Sequence, residues 1–358
     1  MADLTLARIL RRGRRTLRIT LAWVLVGALA AFVHWVLVRR YASHLSFPEL
    51  LDYHVWRNFL WGLLGGGFYV FLLRDRLRQL PFLQAFGVMT VLVLIAVSIT
   101  HAWIPYFVFS NTPDAIALEH FFQDPVLWTD LLYRDLLMAA TMLLVRIYDQ
   151  YGGTGFLLGR YYRPRQELRI FMFLDMRSST AIAEAIGDTR YFQLLNDVYA
   201  DLSDPVADSL GEIYQYVGDE ISVSWPLHKG IKGERCLRCF FTIREKLHKR
   251  AAFYTKRYGS APVFKAGFHY GQVTTGEVGL VKKQTIFSGD VVNTAAHIQA
   301  RCNEHGVDNL MSKDLLDLLA LKPERWTVKR IGEIPLKGKR NMVELATVSP
   351  AERGLNPV

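Results

Sequence analysis

The sequence predicts an α+β protein in two parts: a helical transmembrane bundle of about four spans, followed by a mixed αβ domain. Three observations predict it. Apolar runs long enough to cross a bilayer are confined to the first 150 residues. A glycine-broken stretch follows, over 149–167. Beyond it, strand and helix patterns alternate over 168–350. A chain of 358 residues has room for both parts, so the expected division is 1–148, a linker over 149–167, and 168–350.

The four apolar segments run from about Leu17 to Val38, Trp56 to Leu73, Pro81 to Ile104 and Val126 to Val145. The second is short and glycine-rich, with Gly62 and Gly66 at helix-packing spacing. The third, containing the run Val91 to Val97, is the clearest. The first is too long and too Arg-flanked for a cleaved signal peptide, and further spans follow it. Arginines cluster before the first span (Arg8 to Arg18), after the second (Arg74, Arg76, Arg78) and after the fourth (Arg146, Arg160, Arg163, Arg165), while 105–125 has neither Lys nor Arg. Such asymmetry predicts a multi-pass protein of the inner or plasma membrane, contacting lipid, with both termini and the second domain cytoplasmic. Arg39 and Arg40 run against the pattern. Arg134 and Asp135, near the start of the fourth segment, read either as a functional buried pair or as side chains snorkelling to the interface. His34, His54, His101 and His120 show no paired helical spacing that would suit a metal or haem.

In the linker, Gly152, Gly153, Gly155 and Gly159 interrupt any helix and Pro164 ends the segment. The apolar run Leu168 to Leu174 predicts a buried strand closing on Asp175. Ser179 is placed to cap a helix, and Tyr191 to Leu210 predicts a longer one. Glu212 to Trp225 predicts a hairpin turning at Gly218-Asp219. Ile231 to Tyr258 reads as one basic amphipathic helix, Val263 to Phe268 and Gln272 to Val278 as two strands, and Asp290 to His305 as a helix.

Asp175 and Asp219 each end an apolar run. A carboxylate there is costly to desolvate unless a cation or donor meets it. Two of them on adjacent strands make a hard oxygen site suited to Mg²⁺ or Mn²⁺, ions commonly held by one or two carboxylates plus substrate phosphates. The formal net charge of +10 does not imply a nucleic-acid partner, because the first 150 residues contain Arg but no Lys and most of those Arg flank apolar spans. The three cysteines all lie in the C-terminal half. Cys236-x-x-Cys239 has no second ligand pair nearby and reads as a pair of reduced core residues.

These residues also resemble a family. Phe173-Leu174-Asp175-Met176-Arg177-Ser178-Ser179-Thr180 and Tyr216-Val217-Gly218-Asp219-Glu220 look like the two metal motifs of class III nucleotidyl cyclases. Gly267-Phe268-His269-Tyr270-Gly271 with Gly276-Glu277-Val278-Gly279 resembles the family's glycine-rich strand pair. Gly289-Asp290-Val291-Val292-Asn293-Thr294-Ala295-Ala296 resembles its signature stretch, and Leu336-Lys337-Gly338-Lys339 its closing lysine motif. The five occur in the family's order over about 168–346. The resemblance implies a ferredoxin-like mixed αβ sheet with helices, and conversion of ATP to 3′,5′-cyclic AMP and pyrophosphate by two-metal catalysis at a homodimer interface. It implies two Mg²⁺ or Mn²⁺ ions per site on Asp175, Asp219 and the Met176 carbonyl. Asn293 would orient the ribose and Lys337 would bind the triphosphate, both facing the aspartates of a second subunit.

Three positions depart from the pattern. His297 stands where the family usually has an arginine; a mostly neutral imidazole lacks the guanidinium fork, and Arg301 lies one turn further on. Gln215 stands where adenylyl cyclases usually have lysine and guanylyl cyclases glutamate, and its amide both donates and accepts. The other base-reading position falls on Ile286 or its neighbour Thr285; Thr285 facing the pocket would favour adenine. GTP as substrate, and a catalytically silent nucleotide-binding module, are the alternatives.

Overall fold

A computed structural model describes residues 2–38, 46–77, 80–108, 125–150, 163–279, 284–335 and 342–351. The chain divides into two compact units, Met1–Gly153 and Thr154–Val358. Arg39, Arg40, Arg78, His120, Arg160 and the whole Leu336 to Lys339 motif lie outside the described residues, as does the side chain of His101.

Among the described residues the first unit has four long helices, α1 (Ala2–Val38), α2 (Phe47–Phe68), α3 (Phe82–Val108) and α4 (Pro125–Gln150). Ser46 and Glu49 form a reciprocal capping box that starts α2. The helix then runs through a π-helical turn at Tyr69–Leu73 into a last turn at Arg74–Leu77. Small residues let α1 and α2 approach closely. A Cβ on Gly27 would lie 2.8 Å from the His54 carbonyl oxygen, and one on Gly62 would lie 2.9 Å from Thr20 Cα.

Among the described residues, two helices are long and apolar enough to cross a membrane, over Ile9–Leu37 and Phe82–Ile99. The other two expected spans are helical too, but α2 carries His54, Arg57 and Asn58, and α4 carries Asp130, Arg134 and Asp135. These polar groups point inward. Arg134 is 1% exposed, bonds Asp130 at 2.8 Å and lies 4.1 Å from the Trp61 ring. Arg57 reaches the same Asp130 at 2.9 Å, and Tyr133 donates to buried Asn58 at 3.0 Å. Snorkelling at Arg134 is therefore replaced by a buried ion pair whose partner, one turn earlier, the sequence reading passed over. His34 and His54 also meet, nitrogen to nitrogen at 3.1 Å, because their pairing runs between α1 and α2 rather than along one helix. Leu21, Leu25, Leu29, Leu60, Leu64, Leu132, Leu136 and Leu144 face outward.

The second unit is built on eight strands. These are β1 (Arg165–Met176), β2 (Glu212–Val217), β3 (Glu220–Pro226), β4 (Phe264–Val278), β5 (Gln284–Ser288), β6 (Asn309–Ser312), β7 (Trp326–Ile334) and β8 (Val343–Pro350). Their order is β2-β3-β1-β4-β6-β8-β7, with β5 pairing the far end of β4. All described pairs are antiparallel except β4 with β6. The longer described helices are α5 (Ser179–Ile186), α6 (Asp188–Asp208), α7 (Arg235–Lys249), α8 (Ala251–Tyr258), α9 (Asp290–Ala300) and α10 (Lys313–Leu319), and a short helix at Leu227–Ile231 with a 3-10 turn at Lys232–Glu234 precedes α7.

Period-two alternation on β1 separates two cores. Ile170, Met172, Leu174 and Met176 pack with α6, α7 and α8 in the larger one. Phe171 and Phe173 share the smaller one with Val273, Phe287, Val291 and Ala295 beneath α9. Arg169, on that second face, is fully buried: its terminal nitrogens bond Glu212 at 2.5 Å, Ser224 at 2.9 Å and Glu167 at 3.1 Å, its Nε has no hydrogen-bond partner, and its guanidinium lies 4.6 Å from the Phe287 ring. A buried charge is tolerable only with such partners.

Several expected elements shift. The two strands expected over 263–278 are one continuous β4, because Gly271 needs no turn: it sits opposite Arg169 in the ladder. The single helix expected over 231–258 breaks at Arg250, which leaves helical geometry at φ −100° and ψ 9° while its guanidinium bonds Asp201. The α9 helix ends at Ala300 rather than His305. Ser179 does not cap α5; Ser178 occupies that position with φ +56° and no side-chain cap. Cys236, Cys239 and Cys302 are free and buried, and burial pushes their thiols up to about 12, which suits packing rather than ligation.

Gly267 sets the distance of α9 from the sheet. A Cβ there would lie 2.2 Å from the Gln299 backbone nitrogen and 2.5 Å from the Ala295 carbonyl oxygen. Because the obstruction is backbone, Gly267→Val should destabilise the second unit by about 3 kcal/mol. Chemical denaturation would show this as a lower midpoint; an unchanged midpoint would mean α9 is free to move outward.

Candidate active site

Asp175 is the last odd-numbered residue before β1 ends, so it lies on the α9 face of the sheet. Cross-strand pairing sets Lys265 of β4 directly opposite, and its ammonium lies 2.9 Å from Asp175 Oδ2. Gln299 of α9 donates to the same oxygen at 3.1 Å. Asp219 arrives from the other side, on the two-residue turn that joins β2 to β3. Gly218 takes φ +58° there, a conformation that costs glycine little. Asp219 lies beside Asp175 and the Ser179 hydroxyl, near enough for both to act on its titration.

The electrostatics show that these acids are crowded. Burial holds the Asp219 carboxyl above the usual carboxylate range; the Ser179 hydroxyl works against the rise, and the neighbouring Asp175 adds to it. Glu220 is raised as well, first by burial and then by the charges of Asp175 and Asp219. Two crowded all-oxygen carboxylates are a fitting site for a hard cation, which would satisfy both at once. Among the described residues no group of three His, Cys, Asp or Glu side chains is placed to hold a metal ion. The Met176 side chain is buried in the larger core, so only its backbone carbonyl is available as a ligand.

The remaining expected site residues fall elsewhere on the same unit. A bulge between Ile213 and Gln215 shifts the register of β2, so that Gln215 pairs with Ser222 and joins the α9 face with Tyr214, whose ring meets Phe287. Thr285 shares that face with Phe287, two residues on, whereas Ile286 alternates to the other. Asn293 and His297 lie on α9 opposite its buried stripe of Val291, Ala295 and Ile298. Asn293 is exposed and His297 half-buried, and neither shares the helix edge from which Gln299 reaches Asp175. Arg301 bonds Glu304 at 2.8 Å and the Pro335 carbonyl at 3.1 Å. Lys337 lies outside the described residues.

Sequence reasoning missed Lys265, Gln299 and the role of Ser179. Lys265 is visible only once the β1–β4 register is known. Gln299 lies just beyond the stretch that carries Asn293, and Ser179 sits inside the first motif. Arg177, in that motif as well, pins the end of β1 to Asn303 Oδ1 (2.8 Å), the Val307 carbonyl (2.6 Å) and Asp308 Oδ1 (3.0 Å).

The adenylate and guanylate cyclase catalytic domain profile matches residues 161–347. This chain belongs to that family. Adenylate cyclase 2 of Rhizobium meliloti (strain 1021) is 36% identical over 183 residues, 51% of this chain and 50% of that protein. An adenylate cyclase of Anabaena cylindrica is 25% identical over 187 residues, 49% of this chain and 36% of that one. The chain thus spans half or less of the length of these curated relatives. A solved bacterial light-regulated adenylyl cyclase is 18% identical, with a TM-score of 0.51, covering 60% of this chain and 64% of that one; the likeness is one of fold. Within the cyclase family frame, the matched region begins just before β1 and closes inside β8.

The raised Asp219 carboxyl gives a pH prediction. Without metal it keeps its proton to a higher pH than an exposed aspartate, and a bound cation must displace that proton. Mn²⁺ affinity, read from the paramagnetic resonance signal of the free ion, should fall as pH is lowered, starting above the usual carboxylate range. An affinity that holds until ordinary aspartates titrate would contradict the coupling.

Proposed function

We propose that the protein is a membrane-anchored adenylate cyclase that converts ATP to 3′,5′-cyclic AMP and pyrophosphate at sites shared between two copies of the chain. The observation that carries this reading is the Asp175–Asp219 pair, which brings two mutually repelling carboxylates together at the ends of neighbouring elements of one sheet. Asp175, Asp219 and the Met176 carbonyl would hold two Mg²⁺ or Mn²⁺ ions; when bound, these lower the pKa of the ribose 3′-hydroxyl and neutralise the triphosphate. The 3′-oxygen loses its proton and bonds to the α-phosphorus in line, as the bond to the bridging oxygen breaks and pyrophosphate leaves. The chain's own task is then to position the nucleotide and hold charge.

Asn293 would orient the ribose, His297 would face the transferring phosphoryl group and Lys337 the triphosphate. Asn293 and His297 project from the side of α9 turned away from their own sheet, which supports a site completed by the aspartates of a second copy. Thr285 sharing a face with Gln215 supports adenine. The Gln215 amide, able to donate or accept, does not decide the base, and GTP is the second reading.

The first unit supports a membrane anchor. Its charged side chains, Arg134 and Asp130, are buried while leucine rows face outward, the polarity expected in lipid. On this reading α2 and α4 join the two strongly apolar helices to make four spans, with both termini cytoplasmic.

Purified protein in lipid, given ATP and GTP separately with Mg²⁺ or Mn²⁺, should release cyclic AMP in excess of cyclic GMP; the reverse would reassign the base, and no product would leave a silent module. Asp175→Ala or Asp219→Ala should lower turnover by about 1,000-fold, or about 4 kcal/mol. Mixing Asp175→Ala with Asn293→Ala chains should restore activity through heterodimers with one intact composite site. Heterodimers without recovery would refute the shared site.

A further inference from the structure

The turn that carries Asp219 is poorly supported by its own sheet. It lies at the tip of the β2–β3 hairpin, next to β2's exposed end, where Tyr216 and Val217 are 46% and 55% exposed. A Cβ built on Gly218 would meet nothing within 4 Å. The carboxylate it presents is nonetheless held against Asp175, where like charge pushes it away. Something outside the ladder must hold the tip, and one residue touches it twice. Tyr199, half-buried on α6, donates its hydroxyl to the Gly218 carbonyl. Its ring also lies on that of Tyr216, with centroids 4.5 Å apart and planes 35° apart.

The Gly218 carbonyl belongs to the peptide unit whose nitrogen is that of Asp219. Fixing that oxygen fixes the peptide plane, and so the direction in which the Asp219 side chain leaves the backbone. The stacked ring holds the neighbouring residue in register. The contact is also steady with pH. Burial, with the charge of Asp219 next, pushes the Tyr199 phenol up to about 12, so it remains a protonated donor across the range in which a carboxylate metal site operates.

We propose that Tyr199 is a positioning residue for the metal site: its hydroxyl clamps the hairpin tip and so presents Asp219 to the cation in register with Asp175. The proposal rests on the assignment of Asp175 and Asp219 as metal ligands. Its consequence is specific. A phenylalanine at 199 keeps the ring stack and the packing but releases the peptide plane, so the site should still assemble, at a higher metal concentration. A residue that served only the fold would lower activity equally at every metal concentration.

The test uses the full chain in lipid nanodiscs, comparing wild type with Tyr199→Phe. Mn²⁺ alone is titrated and followed by the paramagnetic resonance of the free ion, and cyclic-nucleotide formation is measured against Mg²⁺ and Mn²⁺. The expected result is a rise of about tenfold in the Mn²⁺ dissociation constant, the lower end of the effect of outer partners on metal sites. A matching rise in the half-saturating Mg²⁺ is expected, with kcat recovered to within about twofold at saturating Mn²⁺ and an unchanged melting temperature. Unaltered Mn²⁺ affinity overturns the proposal, whether turnover is unchanged or falls uniformly. Should the wild-type chain form no cyclic nucleotide, the proposed activity fails, while the Mn²⁺ titration still decides the role of Tyr199.

Discussion

Repulsion between Asp175 and Asp219 is the constraint around which the second unit is organised. Neither carboxylate would choose this neighbour, and burial makes the contact worse. The fold imposes it by anchoring each acid to a separate element of one sheet. Asp175 ends a strand whose one face is sealed by Phe171 and Phe173 and whose other face lies in the larger core. Asp219 sits on a hairpin paired to that strand through β3. Lys265 and Gln299 then satisfy Asp175, while Ser179 and Asp175 itself engage Asp219. The strain of assembling the site is carried by the sheet, and a hard cation would relieve it.

The same logic explains polar groups that have no part in the chemistry. Arg169, buried on the strand that ends in Asp175, gathers Glu167, Glu212, Ser224 and the face of Phe287 around itself. It thereby joins β1, β2, β3 and β5, the strands that carry Asp175, Gln215 and Thr285. Gly267 allows the backbone of α9 to lie nearly against β4, which lets Gln299 reach Asp175. In the first unit, Arg57 and Arg134 converge on Asp130 in the interior, while apolar side chains face out. In each unit a buried charge is offset by a partner from another element.

Much of the fold could be read from the chain. Apolar runs of span length, the glycine-broken stretch and the period-two runs around Asp175 and Asp219 each report a local property, and local properties are what sequence patterns encode. The hairpin at Gly218-Asp219 was legible because a turn needs glycine at positive φ. Errors arose where local signals were ambiguous: Gly271 read as a strand break but lies within a ladder, and Arg250 read as helical but turns aside to bond Asp201. His34 and His54 were judged by spacing along one helix, whereas their contact is between two.

The sequence by itself determined which residues could do chemistry: two strand-end aspartates, an asparagine and a histidine on one helix face, and a family pattern running through them in order. Only the tertiary structure decided how they are held. The β1–β4 register, set by strand pairing some 90 residues apart in the chain, brings Lys265 to Asp175. The bulge in β2 and the alternation in β5 put Gln215 and Thr285 on one face and Ile286 on the other. These are long-range choices of register and rotation. A one-residue slip would reverse each of them while leaving every local pattern intact.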